Sequence, residues 1–337
     1  MDRYSRQTRL AGIGLEGQRR IRASTALVVG CGALGTHAAD ALVRAGIGRL
    51  WLVDRDIVEW SNLQRQVLFT EADAERGLPK AVAAAERLAA ANRDVAIEGH
   101  VADCTAAFLA TLPALPDVVL DGTDNFPTRY LLNDWCARHQ RPWIYAGAVG
   151  TEGAAMVVPV GGPCLRCLWP EPPNGADVGS CETAGILAPA IAAVSAFQVA
   201  EALKLLVGAT PSRGVYTCDV WRGSYQLLAL RAEPAADCPT CSGRAFPALD
   251  APPASAVTLC GRDAVQVDPP DRRDLDLDAL ARRLGSATAR LERTEHLLRF
   301  EADGVRFSVF ASGRALLFGV QDPLRARALY DRWIGLS

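Results

Sequence analysis

A glycine-rich turn between a buried strand and a helix constrains the fold more than any other feature of this 337-residue chain. Residues 30–35 read G-C-G-A-L-G and follow the apolar run 26–29, and a second apolar run ends at Asp54. A G-x-G-x-x-G turn with an acid roughly twenty residues later is typical of a dinucleotide-binding βαβ unit. Taken alone, the pattern favours NAD. The turn residues expected against the nucleotide are Gly30, Gly32, Ala33 and Gly35.

Polar residues near this turn indicate a different nucleotide. A triphosphate with Mg²⁺ needs cations for its phosphates and a carboxylate for the metal. The chain places candidate groups for both tasks after predicted strands and at a predicted helix start. These candidates are Asp56, Ser61, Asn62, Gln64, Arg65, Gln66, Lys80, Asp121, Asp124 and Asn125.

Apolar and helix-like segments alternate up to about residue 146. Short continuous apolar runs at 50–53 and 117–120 are typical of buried parallel strands, and the segments 79–91 and 127–138 indicate helices. The alternation predicts an α/β fold with a Rossmann-like, doubly wound, mostly parallel sheet. In such sheets ligands bind at the carboxyl ends of the strands, where Asp54, Asp121 and Asp124 are expected.

Composition excludes several partner classes. The formal net charge of −2 provides no general attraction to nucleic acid or anionic membranes. The first residues contain no apolar signal segment, and the uncharged stretch 184–200 is short for a membrane span and contains Pro189. We therefore expect a cytoplasmic protein that binds no nucleic acid and has no membrane span, with 189–207 as a buried helix.

Two C-x-x-C pairs predict a structural zinc site. Cys164, Cys167, Cys238 and Cys241 provide four thiolates, which complete a tetrahedral zinc site without an open position. A redox role is the alternative, but neither pair stands next to a βαβ pattern. Cys181 lies between the pairs, just before the apolar helix, where a helix dipole favours its thiolate. It is a candidate reactive thiol.

The order of these motifs resembles the ThiF/MoeB family. This family comprises bacterial relatives of ubiquitin-activating enzymes that adenylate small sulfur-carrier proteins, and the resemblance covers residues 1 to about 243. It implies a homodimer that uses Mg·ATP to adenylate the C-terminal Gly-Gly end of a ubiquitin-like carrier such as ThiS or MoaD. A cysteine desulfurase is an expected sulfur donor. The motifs that carry the resemblance are 3–7 (RYSRQ), 30–35, Asp54-x-Asp56, 62–66 (NLQRQ), 79–80 (PK), 121–125 (DGTDN), both C-x-x-C pairs and 181–185 (CETAG).

The resemblance also implies roles for individual residues. Asp54 would hold the ribose, and Asn62, Arg65 and Lys80 would bind and polarise the phosphates. Asp124 would hold magnesium, and Arg6 would reach across the dimer to the partner's phosphates. Cys181 matches a cysteine that bonds the activated carrier in the thiamin branch, and this match favours thiamin over molybdopterin biosynthesis.

The chain departs from the family pattern at three places. Ala33 replaces a glycine of the turn, and the segment 75–79 before Lys80 is lengthened. Beyond the adenylation domain, 1–245, and a Pro/Ala-rich linker, 246–256, the segment 257–337 predicts a small α+β module of unassigned role. We expect this module to dock the carrier or a sulfur-transfer partner. Its one cysteine, Cys260, is expected to be structural.

Two alternatives remain open at this point. An NAD-dependent oxidoreductase would rest on the glycine turn and Asp54 alone. A non-catalytic scaffold stabilised by zinc would retain the cysteine pairs and a degenerate nucleotide site.

Overall fold

The computed structural model describes residues 3–172, 184–231, 233–251, 256–258, 264–269, 275–285 and 288–335. The chain divides into two compact units, Met1–Ala251 and Pro252–Ser337. Within the predicted linker, Pro247–Asp250 forms a short helix in the first unit. The domain bounds expected from the sequence stay a prediction.

The first unit is built on one eight-stranded sheet, which confirms the predicted fold class. Its strand order is β3-β2-β1-β4-β5-β6-β7-β8, with β1 to β5 parallel and the last three strands antiparallel. The strands are β1 (Thr25–Val29), β2 (Arg49–Asp54), β3 (Ala96–Val101), β4 (Val118–Asp121), β5 (Trp143–Val149), β6 (Glu152–Val158), β7 (Gly214–Asp219) and β8 (Ser224–Ala229).

Helices cover both faces of this sheet, as the βαβ alternation predicts. Alternate residues of β1 enter two separate cores: Ala26 and Val28 lie in one, and Leu27 and Val29 lie in the other. The helices are α1 (Gly14–Ala23), α2 (Ala33–Ala45), α3 (Glu71–Arg76), α4 (Lys80–Ala91), α5 (Ala106–Ala110), α6 (Phe126–Arg138), α7 (Leu165–Leu168), α8 (Ala188–Val207) and α9 (Pro247–Asp250).

Helix α8 is the predicted apolar helix. By length and composition alone its 20 residues could cross a membrane. In the fold it packs against β4, β5, β6 and β7, and Ile191, Val194 and Gln198 are buried there. Pro189 lies in its first turn, where a missing backbone N–H costs no helical hydrogen bond. The helix is therefore part of the protein core.

The described part of the second unit contains an antiparallel sheet and two helices. Within its described residues the strand order is β11-β12-β13-β14-β10-β9. Phe300 and Phe307 stack in its core with ring centroids 4.6 Å apart. The elements are β9 (Ala256–Thr258), β10 (Ala264–Val267), α10 (Leu277–Leu284), β11 (Ala289–Arg293), β12 (Leu297–Ala302), β13 (Val305–Phe310), β14 (Ala315–Phe318) and α11 (Pro323–Trp333).

Candidate functional site

The glycine turn interlocks with the turn that follows β4. Gly30 has a φ of +90°, and a Cβ there would lie 2.6 Å from the carbonyl oxygen of Gly122. A Cβ on Gly35 would lie 1.8 Å from the carbonyl oxygen of Gly30, whereas one on Gly32 would meet only the Gly122 oxygen at 3.7 Å. Two of the three motif glycines are thus required by packing within the protein. Gly32 precedes α2 and leaves room beside the backbone at the helix N-terminus.

Asp54 ties this turn to the end of β2. Its Oδ2 accepts the backbone N–H of Cys31 at 2.6 Å, and its Oδ1 accepts the N–H of Asp56 at 2.6 Å. Burial raises the pKa of the Asp54 carboxyl, and the nearby Lys80 ammonium opposes part of that rise. Each oxygen keeps a second lone pair for a ligand hydroxyl.

Lys80 and Asp56 form a buried ion pair beside Asp54. The Lys80 side chain is 3% exposed, and its Nζ lies 3.4 Å from Oδ2 of Asp56. The two backbones also meet, because the Lys80 N–H donates to the Asp56 carbonyl at 2.8 Å. The lengthened segment 75–79 contains the end of α3 and the turn at Gly77, and the lysine still begins α4 next to the end of β2.

The segment after β2 folds around Asn62. Its Oδ1 accepts the N–H of Glu59 at 3.0 Å, and its Nδ2 donates to Oγ of Ser61 at 3.4 Å. Arg65, which is half-buried, donates to the Ser61 carbonyl at 2.7 Å. Gln66 is buried, and its Oε1 has no hydrogen-bond partner among the described residues. The segment therefore holds these polar side chains together in the stretch that follows β2.

The turn after β4 is organised by an internal ion pair. Asp121 is fully buried and accepts Nε of Arg129 at 3.0 Å, while Arg129 Nη2 donates to the carbonyl of Thr123. Burial raises the pKa of Asp121, and Arg129 opposes that rise. Asn125 caps α6 by accepting the N–H of Thr128. Asp124 is exposed on the same turn, so its carboxylate is available to a ligand.

Arg55 is a candidate site residue that the sequence motifs did not indicate. Its Nη1 lies 2.8 Å from Oδ1 of Asp103, which follows β3, and its Nε lies 4.0 Å from Asp56. Although burial disfavours its charge, the carboxylates of Asp103, Asp56 and Asp124 together raise the pKa of Arg55. The ends of β2, β3 and β4 thus form one electrostatically linked group. No spacing rule connects Arg55 to Asp103, which lies 48 residues away.

Arg6 is a predicted site residue that is exposed near the start of the chain and forms none of the ion pairs that link this group. Cys181 lies outside the described residues, as does Cys260 of the second unit.

The four predicted cysteine ligands converge in space. Their Sγ atoms all lie within 4.8 Å of one another, with 3.6 Å between Cys164 and Cys238 and 3.5 Å between Cys167 and Cys241. Zinc–sulfur bonds of about 2.3 Å in a tetrahedron place the sulfurs about 3.8 Å apart. The cluster therefore has the size and ligand chemistry of a closed zinc site, although Cys164 and Cys238 lie 74 positions apart in the sequence.

Asp134 links the two cysteine pairs, although it belongs to none of the sequence motifs. It is fully buried in α6 and binds both Nε and Nη2 of Arg166 at 3.0 Å. It also accepts the hydroxyl of Thr240 at 2.9 Å and the N–H of Ala248 at 2.8 Å. One carboxylate thus holds a residue from each C-x-x-C segment and the start of α9.

The chain is similar in sequence to proteins of one family. The ThiF family model matches residues 4–240. The chain is 40% identical over 335 residues to a Bacillus subtilis protein named sulfur carrier protein ThiS adenylyltransferase, covering 99% of each. It is 41% identical over 244 residues to the Escherichia coli protein of the same name, covering 72% of this chain and 95% of that one. 

Among solved structures, E. coli MccB with ATP has the same fold in its matched part. The TM-score is 0.61 at 21% identity, and the match covers 72% of this chain and 74% of that one. The similarity to the Bacillus protein extends through the second unit, whereas the match to the E. coli adenylyltransferase has the length of the first. The chain belongs to the ThiF family, and it is an adenylyltransferase.

Proposed function

We propose that the chain adenylates the C-terminal carboxylate of a ubiquitin-like sulfur-carrier protein at the expense of ATP. The observation that carries the proposal is the charged group at the carboxyl ends of β2, β3 and β4, next to the open glycine turn. Lys80, Arg55 and the exposed Asp124 belong to it. The names of the full-length and first-unit relatives support the choice of a sulfur carrier as substrate.

The proposed chemistry requires positive charge around the phosphates. A carrier carboxylate oxygen attacks the α-phosphorus of ATP, a bond forms to give the acyl adenylate, and the α–β phosphoanhydride bond breaks to release pyrophosphate. Both reactants are anionic, so cations that offset their repulsion contribute most of the rate. We assign this task to Lys80 and Arg65, with Asn62, Gln66 and Ser61 as polar neighbours of the phosphates.

The nucleotide would lie across the interlocked turns. Gly32 and Ala33 begin α2, whose N-terminal backbone amides favour an anion. Gly30 and Gly35 allow the close turn, and Asp54 is placed to accept a ribose hydroxyl. A second lone pair on each of its oxygens remains for that contact.

Magnesium fits the exposed end of the β4 turn. Mg²⁺ is held in such sites by one or two carboxylates together with substrate phosphates, and Asp124 offers the exposed carboxylate, with Asn125 beside it. The metal would neutralise charge on the phosphates. We further propose a homodimer in which Arg6 approaches the phosphates of the partner's site.

The cysteine cluster would hold zinc in a structural role. Four thiolates leave no open coordination position, so the ion would stabilise the two C-x-x-C segments rather than act on substrate. Asp134 supports both segments and would fix their geometry around the ion.

The pathway is proposed from Cys181 and from the named relatives. We favour the thiamin branch over the molybdopterin branch, with a cysteine desulfurase as sulfur donor in the cytoplasm. The Cys181 thiolate would form a bond to the carbonyl carbon of the activated carrier, and the acyl–phosphate bond would break to release AMP. Cys181→Ala is then expected to preserve adenylation and to abolish sulfur transfer, and loss of adenylation in this variant would instead assign the cysteine a structural role.

The second unit is proposed to dock the carrier or a sulfur-transfer partner. A relative named as a ThiS adenylyltransferase matches through this unit, and another of the same name matches only over a first-unit length. The test is a chain that ends after Ala251, which keeps α9 on Asp134. Unchanged carrier affinity and sulfur transfer in this truncated chain would exclude the docking role.

Carrier-dependent exchange of pyrophosphate into ATP tests the proposed function directly. Exchange requires a carrier that ends in Gly-Gly and should disappear when that C-terminal pair is removed. Titration with Mg·ATP and with NAD provides the control for nucleotide identity. Binding of NAD without binding of ATP would contradict the proposal. Pyrophosphate exchange at a rate that does not depend on the carrier would also contradict it.

A further inference from the structure

Arg129 of α6 joins the turn after β4 to the carboxyl end of β5. Its Nε donates to Oδ2 of Asp121 at 3.0 Å, and its Nη2 donates to the carbonyls of Thr123 at 2.9 Å and Ala146 at 3.0 Å. The Arg129 side chain is 8% exposed, and that of Asp121 is fully buried. The guanidinium therefore binds groups of the protein itself, at an edge of the sheet where the nucleotide is proposed to lie.

These contacts fix the residues on both sides of Asp124. The N–H and the hydroxyl of Thr123 donate to Oδ1 of Asp121 at 2.8 Å and 2.6 Å, and its carbonyl accepts Arg129. On the other side, Asn125 is held as the cap of α6 through a hydrogen bond from a backbone N–H of the helix. The Asp124 carboxylate itself is exposed. An exposed carboxylate thus stands on a backbone that is fixed before and after it.

The buried ion pair contributes geometry rather than stability. Apolar residues of similar volume often replace a buried ion pair without loss of stability. A guanidinium, however, directs several donors at fixed angles, and here they meet three acceptors on two strand ends. The same turn interlocks with the glycine turn, because a Cβ on Gly122 would lie 2.5 Å from the Gly30 carbonyl oxygen. The pair therefore fixes the place of the turn's carboxylate relative to the glycine turn.

We propose that Arg129, with Asp121, is a positioning residue that sets how strongly the site binds Mg²⁺ together with ATP. The inference rests on the proposed function, in which Asp124 holds magnesium. Mg²⁺ requires near-ideal octahedral geometry with oxygens at about 2.1 Å, so a small displacement of the carboxylate weakens the coordination. The phosphate contacts assigned to Lys80 and Arg65 do not involve this turn. Disturbing Arg129 should therefore reduce affinity for Mg·ATP and preserve affinity for metal-free ATP.

The experiment is calorimetric titration of the full-length chain with an ATP analogue whose α–β bridge is a methylene group. Each titration is run in excess Mg²⁺ and in magnesium-free buffer, and the ratio of the two affinities is the metal enhancement. Arg129→Lys keeps the charge but loses the planar fork and its stacking on Phe126 and Tyr145, whose ring centroids lie 5.1 and 5.0 Å from the guanidinium carbon. The metal enhancement should fall about tenfold, as is typical for loss of a group that orients a metal ligand. Affinity in magnesium-free buffer should not change.

Asp124→Asn is the reference variant, because it removes the metal-binding carboxylate itself. If Arg129 acts through Asp124, adding Arg129→Lys to Asp124→Asn should not reduce the metal enhancement further. Independent losses that add in the double variant would overturn the inference. A full metal enhancement in Arg129→Lys, with a reduced one in Asp124→Asn, would also overturn it and leave the proposed function intact. A full metal enhancement in Asp124→Asn would instead refute the magnesium role in the proposed function, and with it this inference.

Two further variants separate positioning from folding. Thr123→Val removes the hydroxyl that binds Asp121 and keeps the shape of the side chain, so it tests the turn even if Arg129→Lys does not fold. It should also reduce the metal enhancement, and a full enhancement in this variant would contradict the inference. Arg87→Lys is the matched control, because Nη2 of Arg87 lies 3.0 Å from Oδ2 of Asp73, away from the β4 turn. An equal loss in Arg87→Lys would show that the effect is not specific to the turn and would overturn the inference.

Discussion

Lys80 offers the sharpest test of whether the charged group serves catalysis or only folding. Its ammonium is 3% exposed and lies 3.4 Å from an Asp56 carboxylate that is 16% exposed. Lys80→Met removes one partner of this buried pair and leaves the Asp56 charge next to Asp54. Breaking such pairs costs about 3–5 kcal/mol. Because Asp56 keeps some solvent and Arg55 lies 4.0 Å away, we expect a cost near 3 kcal/mol.

A second substitution separates the two roles of the pair. Asp56→Asn, added to Lys80→Met, removes the carboxylate that has lost its lysine, so most of the lost free energy of unfolding should return. The phosphates of ATP would still lack the Lys80 ammonium. Carrier-dependent pyrophosphate exchange should therefore fall by about 10²–10³ in the single and the double variant alike, the loss typical of removing one electrostatic stabiliser.

Urea unfolding measures the loss and recovery of the free energy of unfolding. The rate of pyrophosphate exchange at saturating carrier measures the loss of catalysis. The single variant Asp56→Asn is the matched control, because it retains the lysine. If the double variant regained stability and also exchanged pyrophosphate within a factor of about three of the parent, Lys80 would be a structural ion-pair partner only. The reasoning from geometry to phosphate binding would then be wrong.

Three further predictions follow from individual contacts. Gly35→Ala should unfold the turn or prevent expression, because its Cβ would lie 1.8 Å from the Gly30 oxygen, whereas Gly32→Ala should fold normally and lose affinity for Mg·ATP in titration. Cys164→Ser should lose zinc, measured by metal analysis, and lower the melting temperature, whereas Cys218→Ser, at a buried cysteine of β7 outside the cluster, should retain zinc. Burial lowers the pKa of His37 below its ordinary 6.5. The unfolded chain then binds the proton more readily than the folded chain. The contribution of neutral His37 to the free energy of unfolding is therefore present above about pH 6.5 and is lost as the pH falls through the folded-state pKa. His37→Asn should reduce the dependence of the free energy of unfolding on pH, measured by urea unfolding between about pH 7 and 5.

Regular patterns made most of the first unit predictable from the sequence. The buried strands β1, β2 and β4 are continuous apolar runs, and α8 is recognisable from its length and its early proline. The cysteine cluster was also predictable, because ligand spacing within each C-x-x-C pair is local chemistry. The distance between the pairs along the chain did not matter, since the sheet and α6 bring the two segments together.

Other elements depend on contacts that no local pattern encodes. Helix α1 contains Gly17, a poor helix former, and a Cβ there would lie 3.0 Å from Val207 of α8. The glycine therefore serves a helix crossing that only the tertiary structure reveals. Strand β11 is exposed along its length, so it lacks the apolar alternation that marks strands. Arg55 and Asp134 were not predicted from the sequence, because their partners Asp103 and Thr240 lie 48 and 106 residues away along the chain.

The glycine motif does not by itself distinguish an NAD site from an ATP site. Gly30 and Gly35 are required because the turn after β1 touches its own backbone and that of Gly122. Any ligand that binds across these two turns would need the same packing. Only Gly32 leaves space towards a ligand, and one open position cannot distinguish NAD from ATP. The distinction must come from the charges on neighbouring strand ends, so a chain that keeps the turn but loses Lys80 and Asp124 should fold and fail to bind a triphosphate.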